Sequence, residues 1–213
     1  MPSTVRQDLA ARRGIVFVLS APSGAGKTSI SARLIATMAD VVQVITCTTR
    51  APRAGEVNGR EYHFLSLQAF EQHVAAGDFL EWAQVHEARY GTLRQSVETA
   101  VAMGHDVLLV IDVQGAATLR AAGIDAVYVF VLPPSWEVLI ERLQQRGSES
   151  APVQAQRLQV ARHEVAHYTA YQYVIINDRL DDAVETLRAI ILAERHRITR
   201  LGTVPIAPLL ASE

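Results

Sequence analysis

Residues 15–29 read Ile-Val-Phe-Val-Leu-Ser-Ala-Pro-Ser-Gly-Ala-Gly-Lys-Thr-Ser, and this stretch decides the fold. Ile15 to Leu19 is an unbroken apolar run of the kind that fills a buried strand. Past the glycines, Ile30, Leu34, Ile35 and Met38 recur at helical spacing and predict a helix over 27–39. Strand, glycine-rich turn and helix are the context of a phosphate-binding P-loop. Gly24 and Gly26 let the backbone curl so that successive N–H groups point inward, and the helix start adds its positive dipole end. Lys27 is placed for the β- and γ-phosphates and the Thr28 hydroxyl for a magnesium ion. The pattern G-x-x-x-x-G-K-[ST] opens on Ala21 here, which fits if that residue keeps a negative φ.

Lys27 is the only lysine of the chain; every other strong cation is an arginine. A compact ammonium on a flexible stem suits a point-charge phosphate ligand better than a planar guanidinium does.

Working outward, the 213 residues suit one domain with inserted subdomains, and 49% hydrophobic residues favour a compact globule over disorder. A net charge of −2 argues against general nucleic-acid or anionic-membrane binding. Cys47 is the single cysteine, so no internal disulfide forms and a reducing compartment, the cytoplasm, is expected. The longest apolar runs, 15–19 and 126–132, are too short to span a bilayer, and residues 1–13 carry no signal-peptide core.

Further strands are expected at 41–46, 62–64, 79–86, 107–112, 126–132 and 173–176. Helices are expected at 67–76 (capped by Ser66 and closed by Gly77), 92–103, 115–122 and 135–146. A long helix to about 170 and a final one opening on Asp181-Asp182 complete the set, with a turn expected at Tyr90-Gly91. Alternating strands and helices predict an α/β fold, a parallel sheet covered on both faces. Residues 48–98 and 142–162 break the rhythm and read as two insertions into one P-loop core.

The first insertion holds Arg50 and Arg53, with Tyr62 nine residues beyond Arg53. Two guanidinium forks and a phenol suit the phosphate of an acceptor substrate; the same spacing also suits a solvated basic loop. Glu81 sits among large apolar residues in Phe79-Leu-Glu-Trp82, where a carboxylate needs a partner, either a structural arginine or a ligand donor. In the second insertion Arg142 and Arg146 share a helix face, and Arg157 follows across a polar break. They suit either a clamp closing over phosphates or a charged surface helix.

These residues together resemble the guanylate kinase family of nucleoside monophosphate kinases, from about Ile15 to His196. The most specific part is Thr48-Thr-Arg-Ala-Pro-Arg-Ala-Gly-Glu-Val-Asn-Gly-Arg-Glu-Tyr62, followed by F-L-E-W at 79–82 and Y-G-T at 90–92. I-D-V-Q-G (111–115), P-P-S (133–135), R-L-Q-Q-R-G (142–147), Arg157-Leu158 and I-I-N-D (175–178) continue the match. The resemblance implies a P-loop NTPase fold over 14–200. Its core would be 14–47, 99–141 and 163–200, with a GMP-binding insertion at 48–98, a lid at 142–162, and tails at 1–13 and 201–213.

The activity implied is phosphoryl transfer from ATP, with Mg2+, to GMP. ATP would lie on Ala21, Pro22, Ser23, Gly24, Ala25, Gly26, Lys27 and Thr28, with Asn177 near the adenine. Arg50, Arg53, Tyr62 and Tyr90 would hold the GMP phosphate, and Glu56 counts with the GMP-binding residues. Glu81 would accept from guanine N1–H and the 2-amino group, assisted by Thr46 and Thr92. Arg142, Arg146 and Arg157 would clamp the ATP phosphates, so the catalytic set is Lys27, Arg50, Arg53, Arg142, Arg146 and Arg157. Relatives usually carry an acid two positions before the aspartate matching Asp112; Val110 stands here, leaving Asp112 alone to hold metal-bound water. Oligomeric state is left open, a homo-oligomer included.

Three rivals fit parts of the sequence. His163-Glu-Val-Ala-His167, with Glu185 downstream, matches the H-E-x-x-H of zinc hydrolases, although the lid needs this helix and His167-Tyr168 reads better as helix packing. A non-catalytic guanylate-kinase-like scaffold would bind peptide, yet such domains typically lack a working P-loop. Another P-loop small-molecule kinase, such as a ribosyl phosphate kinase, would not explain the Arg50–Tyr62 segment or Glu81.

Overall fold

In the computed structural model, residues 12–85, 87–145 and 151–201 are described. Five strands form a parallel sheet: β1 (Val16–Ser20), β2 (Val41–Val42), β7 (Asp106–Val110), β8 (Ala126–Leu132) and β9 (Tyr173–Ile176), in the order β2-β7-β1-β8-β9. The apolar run at 15–19 is buried because β1 is central and covered on both faces. Phe17 and Leu19 pack with Leu34 of α1 (Lys27–Ile35) and with Leu187 and Ile191 of the helix Leu180–Arg195. Val16 and Val18 point the other way, to Val97 and Val101 of the helix Arg94–Ala102 and Leu119 of the helix Val113–Ala121. Period-two alternation along one strand thus feeds two separate cores.

The second sheet is smaller and mixed: β3 (Cys47–Thr48), β4 (His63–Phe64), β5 (Phe79–Val85) and β6 (Ala88–Leu93), in the order β4-β3-β6-β5. It carries its own small core, Cys47 and Phe79 against Phe70 of α2 (Leu67–Ala76). That helix begins and ends as the sequence predicts: the Ser66 hydroxyl accepts from Ala69 N–H at 3.1 Å, and Gly77 closes it at φ 71°. The remaining helices are α3 (Arg94–Ala102), α4 (Val113–Ala121), α5 (Trp136–Gln145), α6 (Ala151–Ala166), α7 (Leu180–Arg195) and α8 (Ile198–Leu201).

Several expectations change. The strand expected at 41–46 is split: Val41–Val42 pairs with β7, and after a loop Cys47–Thr48 joins the other sheet. The expected turn at Tyr90-Gly91 is strand β6, opposite Ala83 and Trp82 of β5. A Cβ at Gly91 would stand 2.8 Å from the Phe79 ring, so this glycine makes room for packing and turns nothing. His167 and Tyr168 lie exposed in a 3-10 turn after α6 and do not pack as expected. Among the described residues no helix is long and apolar enough to cross a membrane.

Candidate functional site

The loop between β1 and α1 curls as its glycines require. Gly24 and Gly26 have φ of 90° and 95°, where a side chain would be strained. Ala25 N–H closes a turn on Pro22 C=O at 3.1 Å, and Gly26 in the left-handed region opens α1. No side chain caps α1, so its first N–H groups are left for a ligand. Ala21, where the motif usually opens on glycine, is buried at the end of β1.

Lys27 Nζ donates to Ile111 C=O at 3.0 Å, which carries the amine across to the end of β7. Burial lowers its pKa from the ordinary amine value, opposed by the negative charges of Glu164 and Asp112.

A cavity of about 840 Å³ opens over this loop, lined by Ser23, Gly24, Gly26, Lys27 and Thr28, with Arg53, Asp112, Arg157 and Glu164 around it. A second, of about 280 Å³, is lined by Thr46, Tyr62 and Tyr90 together with Lys27, Thr28 and Asp112. Lys27, Thr28 and Asp112 therefore belong to both cavities, so two ligands seated in them would meet at one ammonium and one carboxylate. The fold brings this about because β1 and β7 are neighbours and both end on the same edge of the parallel sheet.

On the acceptor side, Arg50 Nη2 bonds both oxygens of Glu56, at 2.9 and 3.0 Å, and its guanidinium stands 5.5 Å from the Tyr62 ring centre. Glu56 also accepts from Arg53 N–H at 2.7 Å. Glu56 thus holds the loop's arginine through both of its carboxylate oxygens. Tyr62 and Tyr90 meet edge to face at 5.9 Å.

Glu81 and Thr92 form a separate pair, and neither lines the two cavities. They face each other on β5 and β6, and the Thr92 hydroxyl donates to Glu81 Oε1 at 2.6 Å. Glu81 is only 4% exposed. Its other oxygen lies 2.6 Å from where a Cβ at Gly115 would be, so this carboxylate and the start of α4 fit only because residue 115 is glycine. Burial pushes its pKa up to about 7, against the Thr92 hydrogen bond and with the charge of Asp112 adding to the rise.

Of the three arginines expected to converge from the second insertion, Arg157 lines the large cavity. Arg142 does not; its Nη2 donates to Asn177 C=O at 3.1 Å. Arg146 lies outside the described residues. Asn177 is buried with its side-chain N–H on Ala25 C=O at 2.7 Å, turned to the loop.

Sequence reasoning missed Glu164 as part of this site. Its Oε2 accepts from Ser23 N–H at 3.2 Å across the cavity. Burial raises its pKa, opposed by the Ser23 N–H and the charge of Lys27. The glutamate of the H-E-x-x-H run therefore faces the phosphate loop, while its two histidine rings stack edge-on at 5.0 Å. The only signal for it was its place on the helix after Arg157.

Thr28 and Asp112 offer hard oxygen donors where the cavities join. Asp112 Oδ1 caps α4 through Gly115 N–H at 2.8 Å, and its Oδ2 accepts from Gln114 at 3.2 Å. Val110 packs against the core. Among the described residues no three His, Cys, Asp or Glu side chains gather into a metal-holding group. Magnesium held mainly by phosphate oxygens and water needs only one or two protein oxygens, and the pair fits that demand.

The family model for guanylate kinase matches residues 13–194. The guanylate kinase of Rhodopseudomonas palustris is 48% identical over 185 residues, covering 86% of this chain and 84% of its own. That of Xanthomonas oryzae pv. oryzae is 49% identical over 185 residues, covering 87% and 91%. The crystal structure of guanylate kinase from Anaplasma phagocytophilum superposes with a TM-score of 0.74 at 31% identity, over 90% of this chain and 92% of that one.

Proposed function

The chain belongs to the guanylate kinase family, and from that premise we propose that it transfers the γ-phosphoryl group of ATP to GMP, giving ADP and GDP. The observation that carries this reading is the meeting of two cavities at Lys27, Thr28 and Asp112. ATP would take the larger, its phosphates on the loop from Ala21 to Thr28. GMP would take the smaller, lined by Tyr62 and Tyr90, its phosphate reaching toward Arg50 and toward Arg53, which lines the larger cavity.

Transfer is in line and needs no covalent nucleophile, because phosphoryl transfer depends mainly on positioning and on neutralising charge. Lys27, Arg53 and Arg157 already line the ATP cavity and supply that charge; Arg142 and Arg146 would join them on closure. Arg50 must exchange Glu56 for the GMP phosphate, a trade of one anionic partner for another. Thr28 and, through water, Asp112 would hold Mg2+, which neutralises phosphate charge when bound. Thr46 lines the smaller cavity, whereas Glu81 and Thr92 line neither and would have to be uncovered to read guanine with it. We assign residues 48–98 to the GMP-binding insertion and 142–162 to the lid, and place the chain in the cytoplasm.

An assay of ADP formation against a panel of nucleoside monophosphates tests the reading. GMP should turn over with AMP, CMP and UMP near background; turnover of AMP above GMP would overturn it.

A further inference from the structure

Asn177 stands at the end of β9 with all its described bonds directed inward. Its N–H donates to Leu132 C=O at 2.7 Å, its side-chain N–H to Ala25 C=O at 2.7 Å, and its own carbonyl accepts from Arg142 at 3.1 Å. It is 5% exposed and does not line the large cavity. The fit against the loop is close: a Cβ at Gly26 would lie 2.2 Å from Asn177 Nδ2, so asparagine at 177 leaves no room for a side chain at 26.

Because a peptide unit is planar and trans, the carbonyl of Ala25 and the N–H of Gly26 point in opposite directions. Holding that carbonyl fixes the whole plane and turns the Gly26 N–H away from Asn177. Gly26 lines the cavity and Ala25 does not, as that orientation requires. We infer that Asn177 is a positioning residue for the ATP phosphates, setting the Ala25–Gly26 peptide so that its N–H faces them. Arg142 steadies the same corner from α5. The inference rests on the loop being the ATP site.

The test compares ATP, inorganic tripolyphosphate and GMP, each binding to wild type and to Asn177→Ala, with thermal melting alongside. Tripolyphosphate has no base, so it reports the loop alone. ATP and tripolyphosphate should weaken together, by about tenfold for loss of one buried hydrogen bond, while GMP affinity holds. Hydrogen exchange at residues 24–28 should quicken in the unliganded variant. If Asn177→Ala does not fold, Asn177→Ser, which keeps a shorter donor, should show the same pattern with a smaller loss. Weakened ATP with unchanged tripolyphosphate would make Asn177 an adenine contact and overturn the inference, as would equal weakening of GMP. Unchanged binding of both phosphate ligands by a folded variant would overturn it alone. A wild type that binds neither would overturn the ATP reading and this inference together.

Discussion

The two sheets of this molecule solve different problems. The central strands of the parallel sheet are buried on both faces, and beside them a loop whose shape glycines 24 and 26 fix presents backbone N–H groups together with the Lys27 ammonium. The smaller sheet presents side chains instead. Arg50 is paired with Glu56, and Glu81 is buried with the Thr92 hydroxyl bonded to it and the charge of Asp112 acting on it. On the proposed reading, the donor site is shaped by backbone geometry, whereas the acceptor site relies on side-chain charges, of which Arg50 is paired with Glu56. Preorganised dipoles give rate; charges that lack a proper partner until the right ligand binds give selectivity.

If that division holds, the largest effect should come from the core. Lys27→Ala should lower kcat by about 10² to 10³, with a smaller loss of GMP affinity because the ammonium also borders the smaller cavity; turnover near wild type by the folded variant would remove the lysine from the chemistry. Glu81→Gln should act on the other sheet alone. It should lower kcat/KM for GMP by about 10² with the KM for ATP unmoved, since an amide cannot accept from both guanine donors. Equal weakening of ATP would make Glu81 a structural carboxylate.

The same residue should give acceptor binding a pH dependence. A carboxyl whose pKa is raised on folding holds its proton more tightly in the native protein than in the unfolded chain. Its contribution to stability is present at acid pH and declines as pH rises from the usual carboxylate range through about 7. Guanine needs the ionised form, so GMP affinity should rise with pH and level off above about 7, by up to about tenfold per unit below it. Calorimetry at pH 6 in buffers of different ionisation enthalpy should show proton release on GMP binding that is smaller in Glu81→Gln, the remainder coming from the second ionisation of the GMP phosphate, at about pH 6; equal release by both proteins would count against this protonation.

The smallest effect concerns the separateness of the second core. Phe70→Ala empties the centre of the cluster with Cys47 and Phe79 and should cost about 3–5 kcal/mol where the site cannot collapse. Its kinetic signature should be a several-fold rise in the KM for GMP with little change for ATP.

The sheets also differ in how far the sequence discloses them. β1, β7 and β8 are continuous apolar runs, and a fully buried strand looks like that whatever surrounds it. β6 contains Gly91, which reads as a breaker until Phe79 is seen to fill the missing side chain's place. The loop from Ala21 to Thr28 was legible because its chemistry is local. Glu164 was not, since its partner Ser23 lies 141 positions away, nor was the bond of Asn177 to Ala25 across 152. Arg142 was expected on phosphate through the family resemblance; its helical spacing from Arg146 left a charged surface helix open as well, because spacing on one helix does not say which face meets the cavity.

The solitary lysine has a consequence outside catalysis. In most proteins an acyl group placed on a lysine neutralises one surface charge among many. Here the chain has a single side-chain amine, and it is the cation shared by both cavities. Lysine acylation of this chain is therefore all-or-none with respect to that site, and a ligand seated over the loop is also its shield.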